Sequence, residues 1–211
     1  MRNVFEIRHP LVQHHLTRLR DRETSPAEFR RLLQRLSLLL AYEATQDLDL
    51  RDVTVETPLS PAPGRLVRRR IGVVPILRAG LGMVDPILSL IPDAEVWHLG
   101  FYRDEKTLQP IEYYRKLPQG DPVDVSLVLD PMLATGGSAL AALEAVYAWG
   151  VKTVKLLAMI AAPEGVQRVH TQFPNTQIYV CAIDERLNEH GYILPGLGDA
   201  GDRMFNARAA S

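Results

Sequence analysis

Residues 128–140, which read V-L-D-P-M-L-A-T-G-G-S-A-L, constrain the fold more than any other stretch of this chain. An apolar run over residues 125–129 ends at Asp130, a loop with paired glycines follows, and an alanine-rich stretch of helical character then begins. Paired glycines let a backbone approach an anion closely, and a helix start offers unsatisfied N–H groups and the positive end of its dipole. The order strand, acidic residue, glycine turn and helix therefore predicts a phosphate site.

A simpler interpretation of the same stretch is a plain strand-to-helix turn in which Ser138 caps the helix. The T-G-G-S motif alone leaves the two interpretations open, because short motifs often match by chance. In the phosphate interpretation the hydroxyls of Thr135 and Ser138 add hydrogen-bond donors. Asp130, at the carboxyl end of its strand, is then placed to hold sugar hydroxyls.

Composition sets the broad class of protein. The chain has 211 residues, of which 46% are hydrophobic and 23% charged, which suits one α/β domain over residues 1–211 with a large core. A formal net charge of -1 argues against general nucleic-acid binding. The sequence has no apolar run long enough to span a membrane, no signal-peptide pattern and a single cysteine, Cys181. We therefore expect a cytoplasmic protein that binds neither nucleic acid nor membrane.

Alternating strand and helix patterns predict the fold class. Nearly continuous apolar runs predict buried strands at residues 71–77, 95–101, 125–129, 153–160 and 177–182. Proline or N-cap signals and helical periodicity predict helices over residues 9–20, 26–42, 139–149 and 163–172. A strand at residues 52–56 precedes a proline-rich turn, residues 57–64. These units predict an α/β fold with a parallel twisted sheet covered by helices and a ligand site beyond the strands' carboxyl ends.

Two arginines follow predicted strands and are candidates for that site. Arg78 opens the sequence R-A-G-L-G after strand 71–77, where the third glycine of a dinucleotide fingerprint is replaced by Asp85. Arg103 lies at the root of residues 102–122, a polar stretch without periodicity that predicts a flexible flap or β-hairpin arm, or else an exposed hairpin without function. Because the carboxyl ends of parallel strands share one edge, we expect Arg78, Arg103 and Asp130 to converge.

The tail, residues 187–205, is dense in glycine and reads L-N-E-H-G-Y-I-L-P-G-L-G-D-A-G-D-R-M-F. Residues 196–201 formally match G-x-G-x-x-G, but no strand precedes them and only ten residues follow, too few for a dinucleotide-binding unit. An irregular loop that contacts a ligand is the preferred interpretation, with a flexible tail as the alternative.

The remaining patterns of charged and apolar residues are interpreted first as structural features. The run of four arginines within residues 65–70 predicts a solvated face, with an anion site for a regulatory nucleotide as the alternative. His9, His14 and His15 predict a solvated helix face rather than a metal site, because no acidic or cysteine ligands stand near them. The leucine stripe of helix 26–42 is either core or a subunit contact.

Taken together, these motifs resemble the uracil phosphoribosyltransferases, within the type I phosphoribosyltransferases. V-L-D-P-M-L-A-T-G-G-S-A is similar to that family's phosphoribosyl-pyrophosphate (PRPP) motif, and V-V-P-I-L-R-A-G-L-G-M-V-D to its pyrophosphate-loop region. The segment G-Y-I-L-P-G-L-G-D-A-G-D-R-M-F is similar to its uracil-recognition tail. The resemblance extends from about residue 9 to residue 205, and the tail is what makes it specific to uracil.

The resemblance implies a role for each motif. It implies that residues 130–138 bind the ribose and 5′-phosphate, that Arg78 and Arg103 contact the pyrophosphate, and that residues 187–205 recognise the base. The implied catalytic residues are Arg78, Arg103 and Asp130. The implied PRPP-binding residues are Arg78, Arg103, Asp130, Pro131, Met132, Leu133, Ala134, Thr135, Gly136, Gly137, Ser138 and Asp199. The implied uracil-binding residues are Ile193, Gly198, Asp199 and Ala200.

The implied reaction is uracil plus PRPP giving UMP plus diphosphate, a step of pyrimidine salvage. Pro131 stands where many phosphoribosyltransferases have a second acidic residue, so we expect magnesium to arrive as Mg-PRPP without a dedicated protein metal site. The resemblance also suggests GTP as an allosteric activator, and a homo-oligomer, dimer or larger, is expected. The alternatives are a non-catalytic regulator that binds nucleotide or RNA on this fold, and a transferase for another nucleobase.

Overall fold

The computed structural model describes residues 2–103 and 110–207, so that the tip of the 102–122 arm, residues 104–109, lies outside the described part. The helices are α1 (Pro10–Arg20), α2 (Pro26–Ala44), α3 (Val84–Leu90), α4 (Gly137–Trp149), α5 (Pro163–Gln172) and α6 (Ala200–Phe205). A 3₁₀ turn, Ala79–Met83, precedes α3.

Thirteen strands are present within those two ranges. They are β1 (Val4–Glu6), β2 (Leu50–Glu56), β3 (Pro61–Val67), β4 (Ile71–Leu77), β5 (Glu95–Val96), β6 (His98–Arg103), β7 (Pro110–Lys116), β8 (Val125–Leu129), β9 (Met132–Leu133), β10 (Thr153–Ala161), β11 (Gln177–Ile183), β12 (Arg186–Leu187) and β13 (Ile193–Leu194).

The main sheet has the strand order β1-β11-β10-β8-β4-β6-β7, with β5 added beside β4 and β9 beside β10. All of these pairings are parallel except that of β6 with β7. The predicted parallel, helix-covered sheet is therefore confirmed. The antiparallel β6–β7 pair forms the hairpin arm that the polar stretch predicted.

Both faces of the sheet are buried, which explains the continuous apolar runs. On β8, Leu127 and Leu129 pack into the cluster beneath α1, α2 and α6, while Val128 points to the opposite face beneath α4 and α5. The leucine stripe of α2 belongs to the first cluster, so it is core rather than a subunit contact. Cys181 is buried there as well, and burial raises the pKa of its thiol.

Three predictions about local structure are wrong. The proline-rich turn is shorter than residues 57–64, because residues 61–64 belong to β3 and pair with β2. Within the described residues β3 pairs with β2 alone, in a two-stranded sheet, and such edge positions tolerate proline. The strand at 95–101 is divided into β5 and β6 around Trp97. The tail is more regular than an irregular loop, since it contains the β12–β13 hairpin and α6.

Within residues 2–103 and 110–207, none of the helices combines the length and the apolar character that a membrane span requires.

Candidate functional site

A cavity of about 330 Å³ opens beyond the carboxyl ends of β4, β6 and β8. Three separate parts of the chain meet in it: the loop after β4, the loop after β8 and the tail. Of the predicted site residues, the cavity brings together Arg78, Asp130, Met132, Ala134, Ser138, Gly198, Asp199 and Ala200. The expected convergence at this edge of the sheet is confirmed for Arg78 and Asp130.

A smaller recess of about 40 Å³ follows the loop after β8 and is lined by Asp130 and residues 132–139. Gly136 adopts a left-handed conformation, φ 80°, and is the N-cap of α4. The helix thus begins at Gly137, so the interpretation of Ser138 as an N-cap is wrong: it is the second residue of the helix. The first-turn N–H groups of α4 lack intrahelical acceptors, as expected of a helix start, and they border this recess.

Helix α5 holds the recess in shape from outside. The Arg168 guanidinium donates a hydrogen bond to the Thr135 carbonyl oxygen at 2.6 Å. Gly165 lies so close to the backbone of Leu133 and Ala134 that a β-carbon there would collide with both carbonyl oxygens. Neither Gly165 nor Arg168 carries a sequence signal that points to this loop, since both belong to a different helix.

Asp130 and Pro131 turn the chain out of β8 and back onto the sheet. The Met132 N–H donates to Asp130 Oδ1 at 3.2 Å, and the Pro131 carbonyl accepts from Met159 and Ile160 at 3.0 and 3.2 Å. Pro131 is buried, and the strand β9 that follows it pairs with β10. Asp130 therefore faces the cavity while the residue after it belongs to the sheet.

Arg78 is joined to the tail by an ion pair. Its Nη2 lies 3.2 Å from Asp202 Oδ1, and Asp199 Oδ1 accepts the Asp202 N–H at 2.8 Å as the N-cap of α6. The Leu77–Arg78 peptide bond is cis. Asp202 was missed by sequence reasoning, although its spacing of three residues from Asp199 is that of a helix cap and its partner.

Three predicted site residues are placed differently from the rest. The buried Pro131 lines neither the cavity nor the recess. Ile193 is 3% exposed and packs in the core, whereas the preceding Gly191 and Tyr192 line the cavity. Arg103 ends β6 opposite Pro110, and its side chain lies outside the described part. The ring of Pro110 lies next to Gly137, so the root of the arm adjoins the recess after β8.

Phe101 and Tyr192 are cavity residues that the sequence analysis did not select. Phe101 lies two residues before the end of β6 and is the last residue of the strand predicted at 95–101, so its position near a strand end could have indicated it. Tyr192 lies in the predicted tail, but nothing in its spacing separates it from its neighbours.

The arginine run at residues 65–70 is a solvated face, as predicted. Arg69 pairs with Asp49 at 2.7 Å, and Arg70 pairs with Glu95 and Asp121, both at 2.8 Å. The hydrogen bonds that the two guanidinium groups donate to these carboxylates raise the pKa of both groups. Among residues 2–103 and 110–207, no three His, Cys, Asp or Glu side chains cluster in a way that suits a metal ion.

Comparison with known proteins identifies relatives along the whole chain. A family model described as uracil phosphoribosyltransferase matches residues 6–207. The uracil phosphoribosyltransferase of Roseiflexus sp. (strain RS-1) is 59% identical over 205 residues, covering 97% of this chain and 99% of its own. That of Geobacillus kaustophilus (strain HTA426) is 53% identical over 209 residues, covering 99% of this chain and 100% of its own.

Solved structures show the same relationship. The AQ2163 protein from Aquifex aeolicus superposes with a TM-score of 0.92 at 40% identity, covering 96% of this chain and 97% of that one. The adenine phosphoribosyltransferase from Trypanosoma brucei, solved with AMP, pyrophosphate and ribose-5-phosphate, has a TM-score of 0.60 at 12% identity over 94% and 89% of the two chains. At that identity the second likeness concerns the fold alone.

Gly136→Ala tests the phosphate recess, with Gly120→Ala as the matched control. Both glycines have positive φ, 80° and 73°, so each alanine costs about 1–2 kcal/mol of backbone strain. Only the Gly136 β-carbon meets a neighbour, the Gly165 carbonyl at 3.3 Å, whereas Gly120 faces open space. We expect Gly136→Ala to weaken ribose 5-phosphate binding about tenfold in calorimetry, roughly 1.4 kcal/mol. Equal affinities of the two variants would contradict a phosphate site here.

Proposed function

This chain belongs to the uracil phosphoribosyltransferase family and is a pentosyltransferase of pyrimidine salvage, and on that premise we propose how its own residues carry the transfer. The reaction is displacement of diphosphate from PRPP by N1 of uracil, which gives UMP. The observation that supports this assignment of residues is the single cavity in which the loop after β8 meets the tail. One end of it suits a sugar phosphate and the other a planar base.

The loop after β8 binds the ribose 5-phosphate. The start of α4 directs N–H groups and the positive end of the helix dipole toward the recess, and both favour a dianion. The hydroxyls of Thr135 and Ser138 add donors, and Asp130 accepts from the ribose hydroxyls. Leu133 lines the recess, whereas Pro131 supports it by turning the chain back toward β10, because it has no N–H group to donate and its carbonyl accepts from Met159 and Ile160.

The tail recognises uracil through its backbone. Uracil presents an N3–H donor between two carbonyl acceptors. The N–H groups of Gly198 and Ala200, with a carbonyl near Ile193, complement that pattern, and Ala200 is the first residue of α6, where an N–H lacks an intrahelical acceptor. Asp199 lies between them and faces the cavity, within reach of both the base and the sugar.

Arg78 and Arg103 stabilise the leaving diphosphate. The anomeric carbon becomes cationic as the bond to diphosphate breaks, so the catalytic demand is to stabilise the departing negative charge with preorganised donors. Arg78 follows β4 and lines the cavity with a guanidinium that is 58% exposed. Arg103 closes from the root of the 102–122 arm, and closure of that arm excludes water from the reacting sugar.

Magnesium enters as Mg-PRPP. The carboxylates that line the cavity are Asp130 and Asp199, and each already accepts a backbone N–H, from Met132 at 3.2 Å and from Asp202 at 2.8 Å. Asp130 is followed by the buried Pro131 rather than by a second acidic residue, so the loop does not offer the two adjacent carboxylates that a protein metal site would use. Mg²⁺ keeps most of its ligands as water and phosphate oxygens, and Asp130 is the residue that would face it.

The proposal has three further parts: the protein forms a homo-oligomer, a dimer or larger; GTP activates it; and it is located in the cytoplasm. The β2–β3 hairpin exposes Leu59 and other apolar side chains, which favours association. The Arg65–Arg70 run is the candidate GTP site, where phosphates would displace the carboxylates of Asp49, Glu95 and Asp121. Sedimentation of the purified chain tests the assembly. An unchanged GTP response in an Arg68/Arg69/Arg70 triple alanine variant would remove this site from the proposal.

The alternative functions make different demands on the molecule. A regulator that binds RNA needs a basic face, whereas the chain is nearly neutral and three arginines of its main basic run are paired with carboxylates. A purine transferase needs a pocket for a larger base with a different hydrogen-bonding pattern. RNA binding without diphosphate release would favour the first, and turnover of hypoxanthine or adenine the second.

Diphosphate release measured with uracil, cytosine, hypoxanthine and adenine tests the base assignment. Cytosine reverses two of the three groups that face the tail, and each buried partner left unpaired costs roughly 1–3 kcal/mol. We expect kcat/KM for cytosine to fall by about 100-fold or more relative to uracil. Comparable turnover of the two pyrimidines would contradict the proposed contacts.

Arg78→Met tests the role of Arg78 in diphosphate departure. Loss of one oriented donor to a developing anion costs about 3 kcal/mol, so kcat should fall by about 100-fold. Arg22→Met is the control, since Arg22 pairs with Glu23 on the surface and its side chain is 92% exposed. A kcat within about twofold of the parent in Arg78→Met would exclude this role.

Calorimetry with Mg²⁺ tests the metal proposal. Mg²⁺ titrated into the protein alone should give no saturable heat, and PRPP should bind tightly only when Mg²⁺ is present. Saturable Mg²⁺ binding to the free protein that Asp130→Asn abolishes would show a protein-held metal instead.

A further inference from the structure

Asp184 is a buried carboxylate for which the catalytic roles above give no explanation. It follows the last residue of β11, and its side chain is 4% exposed. Its two oxygens accept a bidentate pair of hydrogen bonds from the Arg20 guanidinium, at 2.7 and 2.5 Å. Bidentate charge-assisted pairs of this kind fix geometry as well as neutralise charge.

The same two side chains hold both backbone polar groups of Gly196. Asp184 Oδ2 accepts the Gly196 N–H at 2.9 Å, and Arg20 Nη1 donates to the Gly196 carbonyl oxygen at 2.8 Å. Arg20 is the last residue of α1, so the end of a helix, the end of a strand and a point in the tail are tied together.

Gly196 needs this support because of its own conformation. It has a φ of 66°, and a β-carbon at this position would collide with the Ile193 carbonyl oxygen. The residue therefore has no side chain to anchor it, and its position depends on its two backbone groups. Arg203 reinforces the arrangement by donating to the carbonyl oxygens of Leu197 and Leu19, both at 2.8 Å.

Gly196 is separated from the base end of the cavity by one residue, the buried Leu197. The cavity lining resumes at Gly198 and continues to Gly201. A shift of Gly196 is therefore transmitted directly to the N–H groups that face the base. Hydrogen bonds that discriminate one base from another depend on placement to within a few tenths of an ångström.

We propose that Arg20 and Asp184 are positioning residues that set the enzyme's affinity and selectivity for the base through Gly196. The inference rests on the proposed function, since it presumes that the tail recognises uracil. Neither residue lines the cavity, and the phosphate recess is held by other contacts, those of Arg168 and Gly165. Their loss should affect the base and leave PRPP binding nearly unchanged.

Steady-state kinetics of Arg20→Met test the proposal, with Arg18→Met as the matched control. Arg18 lies on the same helix and pairs with Glu28 at 3.0 Å on the surface. We expect Arg20→Met to raise KM for uracil by about tenfold, to leave KM for PRPP within about twofold, and to reduce the preference for uracil over cytosine. Arg18→Met should match the parent in all three.

Arg20→Lys keeps the positive charge but loses the planar guanidinium that donates two hydrogen bonds to Asp184. It is the test variant to use if Arg20→Met does not fold. We expect it to raise KM for uracil by about threefold with KM for PRPP unchanged. A folded Arg20 variant whose KM for uracil stays at the parent value, or whose two KM values rise together, overturns the proposal.

Amide hydrogen exchange separates this inference from the proposed function. Exchange at residues 197–201 should be faster in the Arg20 variants than in Arg18→Met, while exchange at residues 137–140 is unchanged. If the parent protein releases no diphosphate with uracil, the proposed function fails, and the exchange data still decide whether Arg20 and Asp184 position the tail. Equal exchange at residues 197–201 in all variants overturns the positioning role.

Discussion

Parallel pairing of β8 between β4 and β10 is the constraint on which the rest of the structure depends. Both edges of β8 are hydrogen-bonded and both faces are covered, so its five residues are all buried. Because its own side chains are buried, β8 can contribute functional groups to a ligand site only through the residues that follow its carboxyl end. Because β4 and β6 run in the same direction, Arg78, Arg103 and Asp130 follow strands that end at the same edge of the sheet.

The side of the cavity formed by the loop after β8 is built from residues close together in sequence and is tightly supported. After Asp130 the chain rejoins the sheet as β9, and Gly136 then reverses it into α4 with a left-handed conformation. The close approach of Gly165 and the hydrogen bond from Arg168 hold the loop from the side of α5. A loop fixed in this way presents its N–H groups without needing to reorganise when an anion arrives.

The side of the cavity formed by the tail is assembled differently, from polar contacts between elements that are distant in sequence. Arg20 and Arg203 link the end of α1 to Gly196 and Leu197, and Arg30 donates to the Met204 carbonyl at 2.7 Å. Charged groups rather than a regular sheet thus hold the tail backbone that lines the cavity. Arg78 connects the loop after β4 with the tail, since it lines the cavity and pairs with Asp202 of α6.

The sequence by itself determined the strand and helix pattern, the glycine turn after β8 and the family resemblance, because apolar periodicity and glycine turns are local signals. It was wrong about Ser138 as a cap, because Gly136 in its left-handed conformation starts the helix at Gly137. It was also wrong about the extent of the 57–64 turn, because residues 61–64 pair with β2 as part of β3. Only the tertiary structure decided the contacts of Arg20 with Asp184 and of Arg78 with Asp202, whose partners are 164 and 124 residues apart. At such separations no spacing pattern connects two charges, so their pairing follows from how the sheet brings the ends of its strands together.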